Sequence, residues 1–424
     1  MTSRRYEIPP PLLGLCIFCL LTRLGAVCLW PTDLSYDRDA YLGIAQNIAL
    51  GRGFSTPGTD QPTAYRPPLY PCLLSIPLVL GASPACAVGC VNTLASLALT
   101  LATYYWACCQ GLSAGAAWWA AIIVCIDPML WRYSAQPMTE TCFTSLVMLA
   151  LVSLWAARHT SVHGPDSRLE VSHSVRRAVL SGGVWGMAAL CRPTIWPCLL
   201  WVTVCWRRWH SLPRGWPWFW LGWMLAVSPW LMRNLFALQA PIVTTTHGGY
   251  TLLLANNPTF YDVARAPWGT RWEESSLTRW QDSLRAELER DLGPKPGEIA
   301  TDRWMTIQAW HHMKQDPTGL ATAVIYRVRS FWAFTPRTPL APPLRLIVGA
   351  WYAILITGGL ISWFWSIFQR SPAAWLSLGL LLSLQLIHLF YWTDSRMRSP
   401  LHPLLAIMLV QGLNSIMASI RQPR

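Results

Sequence analysis

PLLGLCIFCLLTRLGAVCLW, residues 11–30, is a run of twenty residues dominated by apolar side chains. As a helix it would rise about 30 Å, the thickness of a bilayer's hydrocarbon core. It follows Arg4 and Arg5, is longer than the apolar part of a secretion signal and ends in no small-residue cleavage site, so it reads as a retained anchor. Runs of the same kind recur down the chain. They predict ten spans, at 11–30, 84–108, 112–130, 138–157, 178–191, 194–206, 216–235, 342–368, 374–392 and 399–418. The fifth and sixth are shorter than the ~20 residues a crossing helix needs, which suggests a tight pair or partial re-entry.

Composition agrees with this pattern. Of 424 residues, 53% are hydrophobic and only 12% charged, more apolar surface than one soluble core can use. The net charge of +13 is spread through short loops between apolar runs and does not form a nucleic-acid-binding stripe. Thirteen cysteines all lie at or before Cys205, mostly within apolar runs, so they read as small packing residues rather than a disulfide framework. The expected fold is an all-α polytopic membrane protein.

Basic residues fix the expected orientation. With the N-terminus inside, the inner segments hold Arg4 and Arg5, then Arg158, Arg168, Arg176 and Arg177, then Arg207, Arg208 and Arg214, then Arg370, then Arg421 and Arg424. The pattern requires that the apolar stretch 67–81, interrupted by Pro67, Pro68, Pro71 and Pro77, stay interfacial or re-entrant. The chain then divides into an N-terminal membrane module over 1–235 with a first outer loop at 31–83, an outer loop domain at 236–341, and C-terminal membrane helices over 342–424. Two amphipathic helices are predicted in the outer domain, with stripes Leu277, Trp280, Leu284, Leu288 and Ile299, Ile307, Trp310, Met313. No internal repeat of the kind found in paired-half transporters is visible.

On the outer side a few ionisable residues stand at membrane edges. Asp33, Asp37 and Asp39 follow the first span, the last two just before a stretch where Tyr41, Ile44, Ala45 and Ile48 share a face. Either aspartate can cap that helix, an effect of ~1 kcal/mol, and one can cap while the other faces a substrate. Glu140, at the outer start of the fourth span, is either a functional carboxylate or a partner of the helix dipole. Asp127 before Pro128 reads as a helix end. Arg192, Arg233, Arg396 and Arg398 lie on the side where basic residues are usually scarce. They either pair with acids such as Asp394 and Glu140, snorkel to headgroups, or bind an anion such as phosphate. The adjacent His311 and His312 point apart on a helix, no zinc-ligand spacing or phosphate-cradling Gly-Lys loop occurs, and no metal or cofactor is implied. Gly248-Gly249-Tyr250 and Asn256-Asn257-Pro258 read as turns.

Taken in order, these motifs resemble a family. Asp37 to Tyr41, Gly51 to Phe54, and Pro62-Thr63-Ala64-Tyr65-Arg66-Pro67-Pro68-Leu69-Tyr70-Pro71 resemble the first outer loop of GT-C class membrane glycosyltransferases, the protein O-mannosyltransferases and lipid A aminoarabinose transferases among them. Met138-Thr139-Glu140, Ala189 to Thr194, Pro229 to Asn234, Gly248-Gly249-Tyr250 with Asn256-Asn257-Pro258, and Arg396 to Pro400 continue the resemblance. It implies transfer of a sugar from a polyprenyl-phosphate carrier to a protein, lipid or glycan acceptor on the outer, periplasmic face of a bacterial inner membrane, with inversion. A first-loop carboxylate, Asp37 or its rival Asp39, would act as base with Glu140 as a second acid. Tyr41, Tyr65, Arg66, Arg192, Arg233, Asn256, Arg396 and Arg398 would bind substrate and phosphate. A multi-pass transporter is the other reading, and it would place its charges in mid-membrane and on broken helices.

Overall fold

The computed structural model describes residues 10–158, 167–208, 215–267, 274–336 and 340–421, so Arg4, Arg5, Arg214 and Arg424 lie outside the described residues. Among the described residues the chain is helical, with a lone bridge between Ser55 and Pro62 and no strand. The helices are α1 (Pro10–Leu29), α2 (Tyr41–Ala49), α3 (Leu69–Val79), α4 (Pro84–Cys109), α5 (Ala114–Cys125), α6 (Pro128–Tyr133), α7 (Glu140–Arg158), α8 (Ser167–Cys191) and α9 (Trp196–Arg208). They continue with α10 (Trp216–Leu238), α11 (Gly248–Ala255), α12 (Pro258–Arg265), α13 (Glu274–Leu292), α14 (Glu298–Gln315), α15 (Pro317–Phe331), α16 (Pro342–Phe368), α17 (Pro372–Ile387) and α18 (His402–Arg421). Tight 3₁₀ turns lie at Asp33–Ser35, Pro193–Ile195 and Ser395–Leu401.

This is an integral membrane protein. Five segments are each long and apolar enough to cross a bilayer: α1, α4, α7, α16, and α18 with the turn before it. Each of the other predicted spans also falls on a helix: α5, α9 and α17 are apolar but shorter, α8 is long but less apolar, and α10 is long and rich in tryptophan. The fifth span is longer than the sequence suggests, because α8 begins at Ser167 and continues a polar first half into the apolar one for 25 residues. The third is broken at Asp127, whose carboxylate accepts from the Met129 and Leu130 amides and starts α6 afresh. The 67–81 stretch forms α3, an 11-residue helix. It rises about 16 Å, roughly half a hydrocarbon core.

Water gives little help in holding helices together inside a membrane, so close backbone contact matters more. Gly182 and Gly186, four apart on α8, lie against Phe219 and against Trp223 and Ala226 of α10, and Gly222 of α10 lies against Val179 of α8. A Cβ on Gly182 would stand 1.8 Å from the Phe219 carbonyl oxygen, and one on Gly222 would stand 2.0 Å from that of Val179. Gly182→Leu is therefore expected to lower the thermal midpoint in detergent, at a cost of at least ~1–3 kcal/mol. Gly115→Ala, where nothing lies within 4 Å, should leave it unchanged, and equal effects of the two would contradict the close-contact account.

The segment expected to form the outer loop domain, 236–341, holds α11 to α15. Trp280, Leu284 and Leu288 of α13 pack with Leu252, Leu253, Trp304 and Met313, as their spacing predicts. The second predicted stripe is rotated. Met313 is buried but Ile299, Ile307 and Trp310 are exposed, and Trp304, Met305 and Ala309 take the inner face instead. Their mixture of large and small apolar residues hid that face from a count of large ones.

Buried arginines close several helix ends. Arg23 donates to the Cys125 carbonyl at the end of α5 (2.9 Å), Arg327 to Ala255 at the end of α11 (2.5 Å), and Arg398 to Phe331 at the end of α15. The last carbonyls of a helix lack intrahelical partners and carry partial negative charge, so a guanidinium there is stabilised without a carboxylate. Part of the unexpected outer-side positive charge is used in this way.

Candidate active site

Three helix starts and two loops converge at one end of the helical bundle. Asp37 reaches forward so that one carboxylate oxygen accepts the Gly43 amide at 2.7 Å in the first turn of α2. Its other oxygen is buried and has no donor among the described residues. Burial pushes the Asp37 carboxyl up from the usual carboxylate range, against the pull of the Gly43 and Leu42 amides. Asp39 is engaged differently. Arg66 donates through Nη2 to its carboxylate at 3.1 Å and through Nε to its carbonyl at 2.6 Å. The residue following it, Ala40, is held at φ 64°, a left-handed conformation unfavourable for a non-glycine residue. Asp37 thus caps α2 with one oxygen, and Asp39 is tied to Arg66.

Glu140 opens α7 and is fully buried. One of its oxygens accepts from Arg192 Nη2 at 2.7 Å and from Arg396 Nη1 at 3.3 Å, while the other has no donor among the described residues. Arg192 also donates through Nε to the Thr139 hydroxyl at 2.6 Å. Two guanidiniums sharing one carboxylate leave net positive charge in a place of low dielectric. Arg396 also interacts electrostatically with Asp39, and the Tyr41 phenol does so with Arg66, Asp39, Arg192 and Glu140. Asp39, Tyr41, Arg66, Glu140, Arg192 and Arg396, far apart in sequence, therefore interact with one another in a single region of the fold.

Aromatic rings line it. The Arg66 guanidinium lies 5.2 Å from the Tyr41 ring and 4.8 Å from that of Tyr65. Tyr65 meets His247 edge-on at 4.4 Å, and burial pushes the Tyr65 phenol up to about 12.

Three residues of the expected set are turned elsewhere. Arg233 donates to the carbonyls of Thr63, at 2.7 Å, and Phe54, and to Asn234, so it holds the first outer loop and does not face the carboxylates. Arg398 closes α15 and lies over Tyr352, 5.0 Å from the ring centroid, within the bundle. The Asn256 amide donates to Leu252 and Phe390 carbonyls at 2.8 and 2.6 Å, tying α11 to the segment before Ser395. In each case a loop or helix end supplied carbonyl acceptors that sequence spacing does not reveal.

Several supporting residues had no signal of their own. Asn92, in mid-helix, donates to Ser134 and Gln136 carbonyls and accepts from Tyr70, fixing the loop before Glu140. Asp33, which the sequence does single out beside Asp37 and Asp39, takes Arg132 and Gln136 for the same loop. Glu298 of α14 reaches across to Thr63 and Ala64. Among the described residues no group of three or more potential metal ligands occurs.

The helical fold as a whole has counterparts among solved membrane proteins. It is similar to the archaeal oligosaccharyltransferase AglB from Archaeoglobus fulgidus, solved with an inhibitory peptide and a dolichol-phosphate, with TM-score 0.53 and 12% identity over 97% of this chain and 51% of that one. The apo form of the A. fulgidus enzyme gives 0.56, also at 12% identity, over 96% and 51%. This chain spans about half the length of that enzyme. ArnT from Cupriavidus metallidurans, bound to undecaprenyl phosphate, aligns over 96% of this chain and 79% of its own, at 13% identity and TM-score 0.41. No family model matches the sequence, and no curated protein matches it either.

Proposed function

We propose that this protein is a membrane glycosyltransferase that moves a sugar from a polyprenyl-phosphate carrier to an acceptor hydroxyl on the outer, periplasmic side of a bacterial inner membrane. The observation that carries this reading is a half-anchored carboxylate, Asp37, that interacts with Asp39 and Arg66, which are linked in turn through Tyr41 to a cluster with more guanidinium than carboxylate, Arg192–Glu140–Arg396. A base and a leaving-group site at a membrane edge are what a lipid-linked donor requires.

In the reaction the acceptor oxygen attacks the anomeric carbon as its proton passes to the free oxygen of Asp37. The bond from the anomeric carbon to the phosphate oxygen breaks, and the electron pair leaves with the polyprenyl phosphate. One displacement inverts the anomeric centre. Arg66, Arg192 and Arg396 stabilise the charge gathering on the phosphate, each charge-assisted hydrogen bond contributing ~1.5–3 kcal/mol. Asp39 holds Arg66 in place, and Glu140 keeps two buried cations together. The likeness to solved GT-C enzymes supports the reading at the level of fold.

The test is release of polyprenyl phosphate from polyprenyl-phosphate sugars by the purified protein in detergent or nanodiscs. Release that depends on an acceptor supports the proposal. Transport of a lipid or anion into sealed vesicles, with no release, would support the transporter reading instead.

A further inference from the structure

The short segment that carries Arg66 is fastened to the outer loop domain through most of its polar groups. Glu298, in the first turn of α14, accepts the Thr63 hydroxyl at 2.6 Å, the Ala64 amide at 2.8 Å, and the Thr246 hydroxyl. The Thr63 carbonyl takes Arg233 at 2.7 Å, and the Ala64 carbonyl takes the Thr246 amide at 3.0 Å. The Tyr65 amide donates to the Thr63 hydroxyl at 2.9 Å, and the Tyr65 carbonyl accepts from the Thr245 hydroxyl. Arg233 and Glu298 also attract each other across the segment. Ala64 is fully buried, so its amide needs the acceptor that Glu298 provides.

Arg66 stands two residues beyond this clamp, and its side-chain hydrogen bonds go to Asp39. Nothing on the membrane helices is seen to bond the Ala64 amide among the described residues. We propose that Glu298 is a positioning residue: docking of the outer loop domain through its carboxylate sets where Arg66 stands, and so sets how well the site holds the donor's lipid phosphate. This inference rests on the glycosyltransferase reading above. It makes the outer domain part of the donor site even though it contributes no group to the phosphate, and a misplacement near 1 Å costs on the order of 100-fold.

A double-mutant cycle between Glu298 and Arg66 tests it, read as kcat and KM for polyprenyl phosphate release. Glu298→Ala should lower kcat/KM about 10- to 100-fold, mainly through KM. Glu298→Gln, which keeps an oxygen for the Ala64 amide, should lose less. Arg66→Ala should lose more, and the double variant should fall within about 3-fold of Arg66→Ala alone. Losses that multiply in the double variant, or wild-type kinetics in Glu298→Ala, would overturn the assignment. If Glu298→Ala does not fold, Thr63→Val removes one bond of the clamp and enters the same cycle. A wild-type protein that releases no polyprenyl phosphate would instead overturn the functional reading. The clamp is then judged by hydrogen exchange of residues 63–66, which must quicken in Glu298→Gln or Thr63→Val.

Discussion

Asp37→Asn is expected to lower kcat for polyprenyl phosphate release by about 10²- to 10⁴-fold, the range for losing a general base, without lowering resistance to heat. The two halves have one cause. One Asp37 oxygen caps α2 through Gly43 and the other is buried without a donor among the described residues. An asparagine keeps an oxygen for Gly43 but cannot take the acceptor's proton. Burial raises the Asp37 carboxyl above its usual range, so the folded protein holds this proton more tightly than the unfolded chain does. That contribution to stability is present below the unfolded-state value and is lost as pH rises through the folded one. At neutral pH the ionised group therefore costs stability, and a neutral substitute removes the cost. For the same reason the acid limb of kcat/KM in the wild type should lie above the normal aspartate range, with activity rising as pH rises through it. Measurements of kcat, of its pH profile and of the thermal midpoint check all three. An Asp37→Asn variant with near wild-type turnover would transfer the role of base to another group. Asp39→Asn should differ, raising KM by loosening Arg66 while leaving part of kcat.

The bundle was largely legible because apolar runs long enough to cross a bilayer have few alternatives. Pro342–Phe368 was predicted at the same bounds that it has in the structure. Misreadings came where neighbours decide. The polar first half of α8 carries Arg168, Arg176 and Arg177 and reads as loop by hydropathy, yet a helix already begun continues through it. At the site, residue type and membrane side pointed to Asp37, Asp39, Glu140, Arg192 and Arg396, and the resemblance added Arg66; in the fold Asp39 meets Arg66, and Glu140 meets Arg192 and Arg396. Residue type and side could not separate these arginines from Arg233 and Arg398, because a guanidinium serves a helix-end or loop carbonyl as readily as a phosphate. Only the fold determines which acceptor lies within reach. Glu298 was invisible for the same reason: a glutamate in a first helical turn reads as a dipole partner, and its bonds to Thr63 and Ala64 cross more than 230 residues of sequence.

Glu140→Gln should produce the largest loss of stability. The carboxylate has no exposed surface, and the side chains of Arg192 and Arg396 that share it are only 14% and 15% exposed. Replacing it by an amide leaves two buried cations facing each other with no anion between them. Breaking a buried pair by removing one partner typically costs ~3–5 kcal/mol, because the remaining charge stays out of water. Here repulsion between the two arginines adds to that cost. Glu140→Asp should lose less, since it keeps the charge but withdraws it by one methylene. The same geometry gives a second signature that a purely structural ion pair would not show. If Arg192 and Arg396 face the donor phosphate, polyprenyl phosphate supplies the missing anion, and by linkage it stabilises whichever protein binds it more tightly. Thermal unfolding in detergent, with and without undecaprenyl phosphate, should show a lower midpoint for Glu140→Gln and a larger upward shift with lipid than in the wild type. An unchanged midpoint in Glu140→Gln would mean that the cluster does not depend on its carboxylate. A lowered midpoint that the lipid fails to raise would place the phosphate away from Arg192 and Arg396, leaving Arg66 as its main partner.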